Sequence, residues 1–144
     1  MKYSTRTTYG LRAMINLAVN HKKDSLPLST IAKLEGISPK YLEKLFAILK
    51  KAKLIKAEMG AQGGYKLAKD PKEIKVYDIV SVLEGDPSLF HCIGKKGEII
   101  CGQACRCGAT SVLLKVQDAI DKSLKSMKLS DLLWKKFYYF LLFC

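Results

Sequence analysis

The stretch Ile37-Ser38-Pro39-Lys40-Tyr41-Leu42-Glu43-Lys44-Leu45-Phe46-Ala47-Ile48-Leu49-Lys50-Lys51-Ala52 carries two patterns with a single period. Leu42, Leu45, Phe46 and Leu49 recur at i, i+3, i+4 and i+7, the spacing of one helical face. Lys40, Glu43, Lys44, Ala47 and Lys51 recur at the same spacing on the opposite face. Ser38 followed by Pro39 supplies a cap residue and then a proline at the first helical position, where its missing N–H costs nothing. The spacing predicts an amphipathic helix from Pro39 to about Ala52, with its start fixed by Ser38.

Reading outward, Ser29 opens a short helix through Leu34, and Gly36 ends it in a tight turn. Two helices joined by a Gly-containing turn, the second polar on its outer side, form the helix-turn-helix pattern. Downstream, Leu54–Met59 reads as a strand, residues 60–64 as a glycine-rich turn and Tyr65–Ala68 as the return strand. A hairpin directly after such a helix is a wing, and glycines in it permit close approach to a phosphate backbone. Leu11, Met14, Ile15 and Ala18 place an earlier helix at about 5–20, capped by Ser4 or Thr5. Val76, Ile79, Val80 and Leu83 mark another, stopped by Gly85. After a Gly- and Cys-rich loop, Val112, Leu113, Val116, Ala119, Ile120, Leu124 and Met127 stripe a long helix from about Ala109 to Met127.

The expected fold is therefore mainly α, a winged helix-turn-helix DNA-binding domain with a long C-terminal dimerisation helix. Its expected divisions are a DNA-binding domain at 1–85, a cysteine loop at 86–107, a dimerisation helix and short segment at 108–133, and an apolar tail at 134–144.

Charge agrees with a polyanionic partner. The 144 residues carry Lys+Arg 25 against Asp+Glu 13, a net charge of +12. Residues 1–85 hold 16 of those cations and 8 of the anions, so the excess concentrates in the winged-helix part. The N-terminus shows no secretory pattern and no run of apolar residues is long enough to span a bilayer, so a cytoplasmic protein with no membrane partner is expected. Four of the five cysteines fall within residues 92–107. Without an export signal, that clustering favours a metal or redox site over a structural disulfide framework. Thiolates hold zinc and iron–sulfur clusters alike, and only Cys101-x3-Cys105 has the spacing of a zinc knuckle, so a cluster, zinc and free or redox-active thiols all remain open. Apart from Ile93, Ile99 and Ile100 the loop has little apolar material to order it. No paired general acid and base, no nucleotide-binding glycine motif and no Cys-x2-Cys pair is present, so no enzyme is expected. A small redox or zinc protein is the remote alternative.

Taken in order, Tyr3-Ser4-Thr5-Arg6-Thr7-Thr8-Tyr9-Gly10-Leu11-Arg12-Ala13-Met14, Ile37 to Phe46, Gly63-Gly64-Tyr65 and the cysteine loop leading into the long helix resemble the Rrf2 family of bacterial winged helix-turn-helix transcriptional regulators. The resemblance covers about residues 1–133. It implies a homodimer that binds double-stranded DNA at a palindromic operator. It also implies an iron–sulfur cluster, since the family's three-cysteine loop resembles Cys92, Cys101 and Cys107, with Cys107 directly before the long helix. Cys105 and His91 are candidates for a fourth ligand; Thr8 and Thr110 stand where some members place theirs. Glu43 matches a family glutamate that tunes operator choice.

The expected DNA-facing residues are Ser38, Lys40, Tyr41, Glu43, Lys44, Lys51, Gly63 and Gly64. Lys40 and Lys44 can reach phosphates or guanine edges, and Glu43 can accept from cytosine. Lys50, Lys51, Lys53, Lys56 and Lys66 are expected to meet phosphates, which position rather than specify. Ser4, Thr5, Arg6 and Thr7 are expected either to face a phosphate or simply to cap their helix. The alternative function is a cluster-free regulator that senses thiols or a protein partner.

Overall fold

In a computed structural model the chain is described over residues 3–60, 63–85, 88–102 and 107–133. The element order is α1 (Thr5–Val19), α2 (Leu28–Glu35), α3 (Pro39–Lys51), β1 (Ile55–Glu58), β2 (Gly64–Leu67), α4 (Val76–Glu84) and α5 (Ala109–Ser126). The fold is mainly α with one small antiparallel sheet, as expected.

The core is the face of α3 that the apolar spacing marked. Leu42, Leu45, Phe46 and Leu49 are buried against Met14 and Leu17 of α1, Ile31 of α2, and Ile79 and Leu83 of α4. Ser38 caps α3 as its spacing predicts, its hydroxyl accepting from the Tyr41 N–H at 3.2 Å, with Pro39 following. Gly36 ends α2 at φ 64°, a left-handed conformation that turns the chain into α3 and that residues with a Cβ adopt at a cost.

The wing is held by more than its own two strands. Ile55 pairs with Leu67 and Glu58 with Gly64 across the hairpin. Leu26, from the connection between α1 and α2, then pairs with Tyr65 on the free side of β2 through hydrogen bonds of 2.9 and 2.8 Å. Tyr65 also meets Phe46 of α3 edge-on at 4.8 Å. The two strands of the hairpin are therefore packed against both α3 and the α1–α2 connection.

The segment after α5 returns to the winged-helix part. Val76 donates to Met127 at 3.0 Å and Leu129 donates to Ile74 at 2.8 Å, with Leu129 fully buried in the main core. Thr110 and Gln117 are the buried residues of α5, while Leu113, Val116, Ile120 and Leu124 of its apolar stripe are half-buried and Val112 is exposed among the described residues. The apolar tail at 134–144 lies outside the described residues.

Candidate nucleic-acid interface and cysteine loop

The polar face of α3 stands clear of the protein. Lys40, Glu43, Lys44, Ala47 and Lys51 are all exposed, while the opposite face is locked into the core. Lys50 and Lys51 lie in the last turn, where cations are favoured by the helix dipole. Two of the expected DNA-facing residues have internal duties as well. The Ser38 hydroxyl serves the helix cap. Tyr41 is half-buried, its ring edge-on to Tyr9 of α1 at 6.2 Å.

The glycine pair of the wing also has an internal reason. A Cβ on Gly64 would lie 2.4 Å from the Leu26 carbonyl oxygen, and one on Gly63 would lie 2.7 Å from that of Glu58. Glycine is required there by the wing's own packing, whatever else approaches it. Of the expected phosphate contacts, Lys50, Lys51, Lys53 and Lys56 are exposed, whereas Lys66 is half-buried and ion-paired with Glu58. Lys53 is distinctive. It sits at φ 58°, the single non-glycine residue of positive φ among those described.

The start of α1 departs from its expected role. Ser4 occupies the cap position, but its side chain makes no cap hydrogen bond. Its N–H and hydroxyl both donate to Glu84 at the end of α4, each at 2.8 Å, and Thr7 donates to the same carboxylate oxygen. Thr5 and Arg6 remain exposed. Burial alone would raise the Glu84 pKa; the hydrogen bonds from Thr7 and Ser4 and the charge of Arg6 outweigh it and hold the carboxyl below its usual range. A second cluster absent from the sequence reading joins α1 to α2: Arg12 forms an ion pair with Glu35, and Asn16 donates to the same carboxylate.

The cysteine loop contains order that its composition does not announce. Ile93 and Ile99 pair as an antiparallel bridge, with Ile100 donating to Cys92 at 3.0 Å and Gly94 to Glu98 at 2.7 Å. Ile93 is buried, so packing does fix part of the loop. The loop is further tied to α5, where the side-chain amide oxygen Oε1 of Gln117 accepts from the Leu89 N–H at 2.8 Å. The hairpin sets Cys92 beside Ile100, the neighbour of Cys101. Cys107 lies apart from that hairpin in sequence, exposed at the start of α5. The Thr110 hydroxyl and the N–H groups of Ala109 and Thr110 favour its thiolate and lower its pKa. Cys92, Cys101 and Cys107 are free cysteines, and His91 is exposed. Cys105 lies outside the described residues. Among those described, no group of three or more His, Cys, Asp or Glu side chains is gathered closely enough to hold a metal ion. The donor chemistry suits an iron–sulfur cluster, since thiolates are its usual ligands, but the described residues of one chain do not by themselves assemble the site.

A helix-turn-helix whose second helix exposes its polar face, followed by a two-stranded wing, defines the winged-helix DNA-binding fold. A family model described as Rrf2, iron-dependent transcriptional regulator, matches residues 3–135. The chain is 33% identical to protein rrf2 of Nitratidesulfovibrio vulgaris over 133 residues, which is 92% of this chain and 87% of that protein. Its structure is similar to that of T. potens IscR, with TM-score 0.75, 38% identity, and coverage of 94% of this chain and 88% of that one. It is equally similar to CymR, the global cysteine regulator of B. subtilis, with TM-score 0.77, 35% identity, and coverage of 94% and 98%. The chain belongs to the Rrf2 family of DNA-binding transcriptional regulators and is not an enzyme. Among the described residues no helix is long and apolar enough to cross a membrane.

Proposed function

We propose that the chain is a cytoplasmic homodimeric regulator that reads a palindromic operator with α3 and the wing, under the control of its cysteine loop. The observation that carries the reading is the exposed Lys40–Glu43–Lys44–Ala47–Lys51 face of α3, backed by a fully buried one. Glu43 accepts from base edges and discriminates, while Lys40 and Lys44 flank it with positive charge. Lys50, Lys51, Lys53 and Lys56 hold the phosphates on either side. Dimerisation uses the apolar stripe of α5, on which Val112 is 59% exposed. Half-site centres then lie about one helical turn, roughly 10–10.5 bp, or a multiple of it apart.

Selection from random DNA followed by titration tests this reading. Glu43→Ala is expected to relax base preference with little loss of affinity. Lys44→Ala is expected to weaken binding to all sequences and lower the salt slope by about 0.9. Absence of any enriched motif for the wild-type chain, or identical motifs for wild type and Glu43→Ala, overturns the base-reading role.

For the control element we propose an iron–sulfur cluster on Cys92, Cys101 and Cys107. Support comes from the soft donor set, the thiolate-favouring surroundings of Cys107 and the iron-dependent description of the family model. When bound, such a group supplies a redox- and oxygen-sensitive centre. The chain's own part is to link the loop to α5, through Gln117 and Leu89, and α5 in turn to the winged-helix core, through Leu129 in the segment that follows it. A second reading, thiol sensing without a cluster, is favoured by the lack of a gathered three-donor group among the described residues.

A further inference from the structure

Glu35 is the last residue of α2, and its side chain is only 8% exposed. Both circumstances disfavour a carboxylate, which loses hydration on burial and here sits at the negative end of its own helix. Each of its oxygens has a partner on α1. Arg12 forms an ion pair with one, and the side-chain amide of Asn16 donates to the other. Asn16 also donates to the Arg12 carbonyl at 3.2 Å, tying the two partners together. An ion pair with a buried member adds little stability over an apolar pair of the same shape, so stability alone gives no reason for it. What it fixes is where the Arg12 guanidinium lies.

The guanidinium lies over the Tyr9 ring, 5.7 Å from its centroid. Tyr9 in turn meets Tyr41 of α3 edge-on, with centroids 6.2 Å apart and the rings at 89°. Glu35, Arg12, Tyr9 and Tyr41 thus form one file that joins α2, α1 and α3 around the helix-turn-helix turn. Its far end lies at the edge of the DNA-facing surface. Tyr41 is half-buried in the first turn of α3, between exposed Lys40 and buried Leu42. A tyrosine on such a margin keeps its ring inside and its hydroxyl toward water. Tyrosine hydroxyls are among the groups that meet DNA phosphates, and the first turn of a helix favours an anion.

We propose that Arg12, held by Glu35, is a positioning residue for operator binding: through Tyr9 it seats the Tyr41 ring so that the Tyr41 hydroxyl donates to a backbone phosphate at the start of α3. The inference rests on the operator-binding reading above and adds to it three residues, Glu35, Arg12 and Tyr9, that touch no DNA themselves. The contact is to the backbone, so it acts on affinity for every sequence and leaves the half-site motif to Glu43. The hydroxyl is neutral, so the salt dependence stays with the lysines.

The test uses the full-length chain and its operator obtained by selection. Tyr41→Phe is expected to weaken binding to operator and unrelated DNA alike by about tenfold, the scale of one hydrogen bond to a charged group. Its salt slope should stay that of the wild type. Arg12→Gln should lose affinity by a similar factor in the wild-type background and little in a Tyr41→Phe background, because the second change removes what the first positions. Tyr9→Phe keeps the ring and should bind as the wild type does, whereas Tyr9→Leu should behave like Arg12→Gln. Urea midpoints report on the fold of each variant. Should Arg12→Gln alone unfold, the paired variant Arg12→Gln with Glu35→Gln leaves no unpaired carboxylate and takes its place in the cycle. Equal losses in both backgrounds, with a salt slope lowered by about 0.9, would make Arg12 itself a phosphate contact and overturn the positioning role. Wild-type affinity for Tyr41→Phe or for the Arg12 variant also overturns the proposal. Failure of the wild type to select any DNA overturns the operator reading instead, and the two outcomes are distinct.

Discussion

Ser4 and Glu84 join the start of α1 to the end of α4: the N–H and the hydroxyl of Ser4 both donate to one Glu84 carboxylate oxygen at 2.8 Å. The carboxylate is disfavoured at the C-terminal end of its own helix and favoured at the N-terminal end of the other, where it meets donors left without partners inside α1. Glu84→Ala removes the shared acceptor of Ser4 and Thr7 and is expected to cost about 1–2 kcal/mol, the range for hydrogen bonds to a partly exposed charged group. The urea midpoint should also follow pH. Because the Glu84 pKa is lowered on folding from its ordinary 4.5, its contribution is fully present above that pH and is lost as pH falls through the folded value. In Glu84→Gln that part of the acid dependence should disappear; an unchanged acid limb would show that other carboxylates set it.

Lys53 adopts φ 58° directly after α3, with the Lys53 N–H donating to Lys50 and the Leu54 N–H to Leu49. That is the Schellman pattern, in which the left-handed position is usually glycine. Lys53→Gly is expected to stabilise the fold by about 0.5–1 kcal/mol, the relief of the left-handed backbone less glycine's greater unfolded-state freedom. The same change should weaken operator binding and lower its salt slope by about 0.9 if the ammonium meets a phosphate. Stability rising while affinity stays constant would leave Lys53 without a role on DNA.

How far these relationships can be read from the sequence depends on their range along the chain. The helix at Pro39 was legible because Leu42, Leu45, Phe46 and Leu49 repeat locally and Ser38-Pro39 marks the start. The need for glycine at position 64 was legible too, but its reason was not. The clash is with Leu26, which returns to β2 from another part of the chain. The Ser4–Glu84 bond spans 80 residues and leaves no periodic trace. The Ile93–Ile99 bridge is likewise a pairing, not a period, and it turned an apparently structureless loop into a small hairpin. Clustering of cysteines is visible in the sequence; their arrangement in space is decided by the path of the loop.

Val116 and Ile120 lie on a helix whose buried residues are confined to Thr110 and Gln117. Both side chains are half-buried, so Val116→Asp or Ile120→Asp should cost some stability as well as disrupt pairing of two chains, and folding is checked by circular dichroism beside the assembly measurement. Sedimentation velocity should show monomers, and operator affinity should fall because the two half-sites are no longer bound together. A dimer that survives both substitutions places the interface elsewhere.

Cys92, Cys101 and Cys107 make the sharpest division between the proposed control mechanisms. The first two are brought near by the Ile93–Ile99 hairpin, while the third waits at the head of α5, with its thiolate favoured by Thr110 and Ala109. If the three act as ligands, each single Cys→Ser change should abolish visible absorption and bound iron in anaerobically purified protein and alter operator affinity. Cys144→Ser, in the tail outside the described residues, should do neither. If the chain senses thiols without a cluster, the wild type should carry no iron, yet its operator affinity should differ between reduced and oxidised protein. That difference should vanish when the responding cysteine is replaced. Mass spectrometry under non-reducing conditions identifies which cysteine that is. Iron-free protein with equal affinity in both redox states would remove the cysteine loop from control altogether and leave the winged-helix part as a regulator governed by another signal.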